Sequence, residues 1–367
     1  MLKSGKISTR QFALLVFTFT VGSSILLVPS LLAGEAKQDG WLAGIAGLII
    51  GLLYVLLYSR LGKKYPTMTI VQYSEVVLGK WFGKIIAVLF FFFFFIISSS
   101  LLWDIGNFMT TQVLAGTPIQ MVYITFTLVT IMGAKLGIEV LGRTAEIFFP
   151  WIMLFFLLIV VFTTPHIHFQ KVQPVLENGI TPVVRGAVLF SVIPFVQLSA
   201  FLMVIPSLKE IKKVNKSFLI GAAAGGSLLL IISTTALFVL GVDLTARNHF
   251  PSYMLAKKIS IGGFLERIES FVAMMWFITI FFKLTICFYA LSLILSQMLG
   301  INNYRVVTLP LGMLIIVFGL IIFPNEAYAG RFVMETWPFY ALTFGFFLPL
   351  LLLVFKTGSD PSNRQKR

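Results

Sequence analysis

Apolar residues along this chain gather into runs of about twenty, instead of alternating with period 2 or recurring with period 3.6, which is the pattern of segments dissolved in lipid. Ten such runs stand out, at 12–33, 40–59, 82–103, 118–134, 144–163, 186–206, 218–240, 268–297, 306–323 and 337–355. Short polar connections separate them. The pattern predicts an all-α polytopic membrane protein of about ten transmembrane helices, a single integral membrane domain over 1–367 whose last residues, 356–367, form a basic cytoplasmic tail. No sizeable domain fits outside the bilayer. Six consecutive phenylalanines, Phe90 to Phe95, cover every face of the third helix, and lipid and helix contacts account for them.

Composition agrees: 58% of residues are hydrophobic and 11% charged, with a mean hydropathy of +0.96, where soluble domains carry roughly 25% charged residues. A net charge of +14 would suggest nucleic acid for a soluble protein, but here the basic residues set topology, and no nucleic-acid partner is expected. The N-terminus, the even-numbered connections and the C-terminus hold 19 of the 28 Lys and Arg residues, the opposite connections hold eight, and Lys283 lies inside a span. Both termini are therefore expected in the cytoplasm. Lys3, Lys6 and Arg10 ahead of the first run, and its end at Leu31-Leu32-Ala33-Gly34, resemble a secretory signal. The run is long for one and no lipobox cysteine follows, so it is read as a retained helix. A single cysteine, Cys287, leaves no internal disulfide and no thiolate cluster. His166 and His168 have no acid beside them, so no metal is expected. Walker, dinucleotide, HExxH and GxSxG elements are absent, which leaves an enzyme or a cofactor without support.

Two runs carry helix breakers in their interiors. The first reads Val21-Gly22-Ser23-Ser24-Ile25-Leu26-Leu27-Val28-Pro29, in which glycine and two short hydroxyl side chains offer the backbone non-helical options and Pro29 lacks the donor that would continue the ladder. The sixth reads Ser191-Val192-Ile193-Pro194-Phe195-Val196-Gln197 and meets a second proline at Pro206. Freed N–H and C=O groups persist in hydrocarbon only where they line a protein cavity or bind something polar. A proline kink explains either run alone, but their positions correspond. Ten helices divide into two sets of five, and the odd count inverts the second set, giving repeats over about 12–163 and 186–355 with helices one and six as matching members. Interrupted helices at matching places in inverted halves point to a transporter-type site near the midplane. Half-helix N-termini there face a carboxylate and the opposite ends offer carbonyls to an ammonium or cation, so a zwitterion such as an amino acid fits.

Gly22-Ser23-Ser24-Ile25-Leu26 followed by Val28-Pro29 resembles the helix-one motif of the amino acid/polyamine/organocation transporter superfamily. More specifically, Lys6-Ile7-Ser8 then Gln11, Gly142-Arg143-Thr144-Ala145-Glu146-Ile147-Phe148-Phe149-Pro150, Pro174-Val175-Leu176-Glu177-Asn178-Gly179, and Arg267-Ile268-Glu269-Ser270-Phe271 leading to Trp276-Phe277 and Lys283 resemble the B subunits of endospore germinant receptors, the spore germination permease family. The resemblance covers nearly the whole chain. It implies ten helices in a five-plus-five inverted repeat with helices one and six broken, a spore inner-membrane location, recognition of a nutrient germinant, and partnership with an A subunit and a lipoprotein C subunit.

Lys283 falls near the middle of the eighth span, where a charge is expensive unless paired, hydrated or snorkelled to an interface. No acid stands at an obviously matching depth: Glu146 is expected near the cytoplasmic end of helix five, Asp104 and Glu269 near the outer face. In the resembling fold helices one and eight meet at a sodium site, so the resemblance implies that the Lys283 ammonium replaces the ion and holds the broken helix-one carbonyls. Ser98, Ser99 and Ser100 in helix three and Thr285 in helix eight place hydroxyls deep in apolar runs, although such groups often bond their own i−4 carbonyl. Together with Gly22, Ser23, Ser24, Pro194 and Phe195 they surround the expected ligand pocket. Leu101 and Phe195 form the apolar wall that sizes a side chain, and Gln197 is a further polar candidate. Glu146 follows Arg143 at i,i+3, which predicts a local ion pair. Arg267 and Glu269, two apart, face different sides and are candidates for an outer gate or a subunit interface. Three functions stand: a germinant receptor subunit whose binding equilibrium is passed to partner subunits, a proton- or sodium-coupled amino acid transporter, and an anchoring subunit with a vestigial pocket. The resemblance favours the first.

Overall fold

The computed structural model describes residues 5–258 and 268–355. Arg267 and the 356–367 tail lie outside the described residues. Among the described residues ten membrane crossings are built from thirteen of sixteen α-helices, the other three lying in connections: α1 Thr9–Val21 and α2 Ser24–Ala36 form the first, α3 Gly40–Lys64 the second, and α5 Lys80–Phe108 the third, after the short connecting α4 Ile70–Leu78. Next come α6 Ile119–Leu136, α7 Ile138–Thr163, α8 Ile180–Phe195 and α9 Val214–Leu240. Two connecting helices, α10 Val242–Arg247 and α11 Pro251–Lys257, precede α12 Ile268–Met298 and α13 Arg305–Ile321. The tenth crossing is α14 Glu326–Arg331, α15 Trp337–Leu342 and α16 Leu348–Val354, joined by π-helical turns. Among the described residues eight stretches are long and apolar enough to span a membrane, one of them, Ser24–Lys64, running through α2 and α3, while Thr9–Val21 and Arg305–Ile321 are shorter apolar helices.

The helices pack reciprocally, as a five-plus-five inverted repeat requires. The second crossing lies along the sixth (α3 on α8) as the seventh lies along the first (α9 on α1), and the fourth meets the eighth (α6 on α12) as the ninth meets the third (α13 on α5). Small residues make both close pairs possible, since helix association in lipid depends on backbone approach. A Cβ on Gly47 of α3 would meet the Ala187 carbonyl at 2.7 Å, and one on Gly221 of α9 would run into the Ala13 carbonyl.

Both breaks form, by different means. The Ser8 hydroxyl accepts from the Gln11 N–H while Gln11 Oε1 accepts from the Ser8 N–H, a capping box that starts α1. That helix stops at Gly22, whose φ of 27° and ψ of −132° no longer continue it. The donor missing at Pro29 does not end α2, which runs through it to Ala36. The carbonyl that Pro29 leaves without a donor belongs to Ile25, and the Ser252 hydroxyl of α11 donates to it at 2.8 Å. In the sixth crossing α8 ends at Phe195, one residue past Pro194, and the chain continues as a 3-10 helix over Val196–Met203 and a further turn at Ile205–Ser207. The Tyr58 hydroxyl sits within hydrogen-bond reach of the Val196 and Gly345 carbonyls, at 3.0 and 2.7 Å, covering backbone that the 3-10 and π-helical segments expose.

At the face that holds the termini, Ile7 pairs in parallel with Leu208: its N–H donates to the Ser207 carbonyl at 2.9 Å, and the Lys209 N–H donates to its carbonyl at 3.0 Å. The start of the first crossing is thereby stitched to the end of the sixth. On the same face Lys64 Nζ donates to the Leu353 carbonyl at 3.1 Å, so a cation closes the negative end of α16.

Candidate functional site

A cavity of about 240 Å³ opens beside the first break. Its walls come from α2 (Ser23 at its cap, then Leu27), α5 (Ile97, Ser100, Leu101, Asp104), the sixth crossing (Ile193, Gln197), the tenth (Val333, Trp337), the end of α10 (Arg247) and the connection after it (His249). That connection lies on the face remote from the termini, since it follows α9, which starts beside the Ile7 pairing. Residues 97, 100, 101 and 104 follow i, i+3, i+4, i+7, so one face of α5 supplies most of the third-crossing wall, to which Trp103 adds. Two polar atoms on the wall, Ser100 Oγ and Gln197 Oε1, are buried and have no hydrogen-bond partner among the described residues. Buried polar groups are normally satisfied, and these two leave hydrogen-bonding capacity open on the cavity wall.

Behind the break, Lys283 is fully buried in the middle of α12. Its ammonium donates to Ser24 Oγ at 3.3 Å and lies 5.6 Å from the centroid of the Phe19 ring. Its methylenes occupy the space that a Cβ on Gly22 would need, so glycine serves there both for its positive φ and for its lack of a side chain. The lysine does not bond the broken carbonyls: that of Gly22 accepts from Thr279 Oγ1 at 3.4 Å, and that of Ile25 from Ser252. Nor is Lys283 without an acid. Asp104 interacts with it electrostatically. The apolar run suggested that the third helix ends at 103, but α5 continues to Phe108 and on through a π-helical turn to Val113, which keeps Asp104 inside the bundle. The site thus holds a carboxylate in the cavity wall, and an ammonium beside the positive N-terminal end of α2.

Of the residues singled out from the sequence, Ser23, Leu101 and Gln197 border the cavity, and Ser24 binds Lys283 just behind it. Gly22 forms the break itself. Pro194 is buried at the end of α8, and the Phe195 ring packs where Cβ atoms on Gly51 of α3 and Gly226 of α9 would sit, in the seam between helices. Ser98 is buried away from the cavity, because its neighbours in sequence, 97 and 100, own the cavity-facing side. Thr285 turns toward Gly133 of α6. Glu146 does not pair with Arg143. Arg143 bonds Glu139 at 2.7 Å, one full turn back, while Glu146 accepts from Gln11 Nε2 at 3.1 Å and faces Arg10 at 3.9 Å. Glu269 is part-exposed in the first turn of α12 and has no ion pair among the described residues. Trp337, Arg247, His249 and Ser252 are not among the residues singled out from the sequence, whereas Asp104 is named there but set near the outer face, although it stands one turn beyond Ser100.

Comparison with known proteins matches residues 6–327 to a family described as spore germination protein. Spore germination protein KB of Bacillus subtilis (strain 168) is 30% identical over 359 residues, covering 96% of this chain and 95% of that one. Spore germination protein YndE of the same organism is 25% identical over 353 residues, covering 96% of each. Among solved structures, Mhp1, a nucleobase-cation-symport-1 family transporter in a closed conformation with bromovinylhydantoin bound, superposes with a TM-score of 0.72 at 10% identity, over 95% of this chain and 78% of that one. MhsT in complex with L-phenylalanine superposes at 0.69 and 13% identity, over 96% and 99%. These two establish a shared fold. With the family match spanning most of its length and a relative at 30% identity end to end, the chain belongs to the spore germination permease family, as an integral membrane protein with a transporter fold.

Proposed function

We propose that this chain is a nutrient germinant receptor subunit of the spore inner membrane, with both termini in the cytoplasm, which binds a small zwitterion of amino acid type in the cavity beside the first break. The reading is carried by the cavity wall itself, where unpartnered Ser100 Oγ and Gln197 Oε1 stand beside the Asp104 carboxylate. Asp104 would take the ligand's ammonium. The N-terminal end of α2, reinforced by Lys283 behind it, would take its carboxylate. Leu101, Ile97 and Ile193 would size the side chain. Catalysis is not part of this role. Ligand affinity that differs between two conformations would bias one of them, and the bias would pass to an A subunit and a lipoprotein C subunit.

Proton- or sodium-coupled amino acid transport is the second reading, favoured by the fold shared with Mhp1 and MhsT. One paired experiment separates them: equilibrium binding of labelled amino acids and sugars to the purified chain, then uptake of the best binder into proteoliposomes with imposed proton and sodium gradients. Saturable amino acid binding without accumulation is expected. Accumulation above equilibrium identifies a transporter, and saturable sugar binding alone overturns the amino acid assignment.

A further inference from the structure

The tenth crossing turns one stripe of side chains outward: Arg331, Glu335, Phe339, Thr343, Phe347 and Leu351 are all exposed. The repeat is four residues because π-helical turns at Phe332–Thr336 and Thr343–Phe347 widen the helix. Most of this stripe suits lipid, Phe339 being 75% exposed and Phe347 56%. Glu335 does not. Its depth is fixed by two contacts with α5: Asn107 Nδ2 donates to Glu326 Oε1 at 2.8 Å, and the Trp337 ring stacks on Phe93 with centroids 6.0 Å apart. Glu335 is nine residues beyond Glu326, about 13 Å along the helix, and two residues short of Trp337. In a hydrocarbon layer about 30 Å thick that is well below the surface.

Intramembrane carboxylates normally turn inward or pair. Glu335 faces outward, and among the described residues neither it nor Arg331 has an ion-pair partner. No described residue supplies an ion-pair partner to either, and the stripe carries its own complement. We propose that this face is a two-fold interface between two parallel copies of the chain, in which Arg331 of each copy meets Glu335 of the other and the Phe339, Thr343 and Phe347 positions form the dry remainder. A two-fold axis along the membrane normal sets the two stripes at equal depth. It then requires that if residue i meets residue j, j also meets i. The four-residue offset between Arg331 and Glu335, about 6 Å of rise, is within the reach of an extended arginine. This inference goes beyond the ligand-binding reading and does not depend on it.

The sole cysteine, Cys287, is buried, so a single introduced cysteine reports contact cleanly. The full chain carrying Thr343→Cys is reconstituted in proteoliposomes and exposed to a mild thiol oxidant, beside a control carrying Ile147→Cys on the exposed face of α7. A covalent dimer is expected from the first and none from the control. Adding Glu335→Arg or Arg331→Glu to the Thr343→Cys chain abolishes the dimer, and the two reversed chains, differently tagged and reconstituted together, recover it as a mixed dimer. A bond within one chain cannot give that recovery. Each variant is first shown to elute as a monodisperse species, and Glu335→Gln, expected to lose most of the cross-link, replaces a reversal that aggregates. Absence of the Thr343→Cys dimer, indifference of the dimer to the substitutions at 331 and 335, failure of the mixture to recover it, or, in native membranes, cross-linking to a different protein in place of itself overturns the proposal.

Discussion

The Ser252 hydroxyl donates 2.8 Å to the carbonyl of Ile25, the one carbonyl of α2 that Pro29 deprives of its helical donor. A residue of the connecting helix α11 thus completes the helix that borders the cavity. Ser252→Ala leaves that buried carbonyl unsatisfied, at a cost of about 1–3 kcal/mol. Pro29→Ala restores an N–H to the ladder, so Ser252→Ala in that background is expected to cost much less. Thermal unfolding of the purified chain through the double-mutant cycle measures this, and an equal loss in both backgrounds contradicts the account.

Asp104 is expected to read the ligand's ammonium. Asp104→Asn keeps the shape of the wall and removes its charge, so amino acid affinity should fall by about 10- to 100-fold, the worth of a charge-assisted hydrogen bond. Binding of the matching des-amino carboxylic acid should change little. Calorimetric titration of both ligands against both proteins decides it, and a parallel loss for the two would remove Asp104 from ammonium recognition.

Lys283→Met preserves most of the volume packed against Gly22 and deletes the cation that faces Asp104 and donates to Ser24. A hydrogen bond from an ionised donor is worth about 1.5–3 kcal/mol, and methionine supplies neither that bond nor the attraction to Asp104. The single substitution should therefore lower yield and stability together with germinant response, and adding Asp104→Asn should recover stability in part. A full germinant response in Lys283→Met would end the assignment of Lys283 to the site.

Close packing at the pseudo-symmetric seams predicts a sharp contrast between two glycines. Gly221→Ala drives a methyl group into the Ala13 carbonyl and must part α1 from α9, whereas Gly34→Ala meets nothing within 4 Å. The first should reduce monodisperse protein recovered from membranes. The second should match the parent or exceed it slightly, because alanine is the better helix former by about 1 kcal/mol.

The crossings and the two interruptions were legible because twenty-residue apolar runs and misplaced glycines and prolines are local signals. The particular atom of each break was not. The break needs glycine at position 22 because its φ is positive and Lys283 occupies the side-chain space there, and the carbonyl that Pro29 leaves without a donor is satisfied by Ser252 from more than two hundred residues away. At the site, Leu101 pointed to the right face of α5, and a helical period would have extended that face to Ile97 and Asp104. Sequence placed Asp104 outside the span because the apolar run stops one residue short of it. Phe195 and Thr285 lie at the right depth but turn into helix seams, since side-chain direction in a broken helix depends on its neighbours. Glu146 shows the same limit: spacing offered Arg143, and the fold supplied Gln11 and Arg10 from the start of the chain.

The pairing of Ile7 with Leu208 gives the molecule the character of a cup more than that of a tunnel. Both interrupted crossings are knotted together at the rim that holds the termini, by two backbone hydrogen bonds that no side-chain rearrangement can release. Passage through that rim would need Ile7 to be peeled from Leu208 at the end of the sixth crossing. On the receptor reading proposed above, such a closed rim lets the chain register a ligand without having to deliver it.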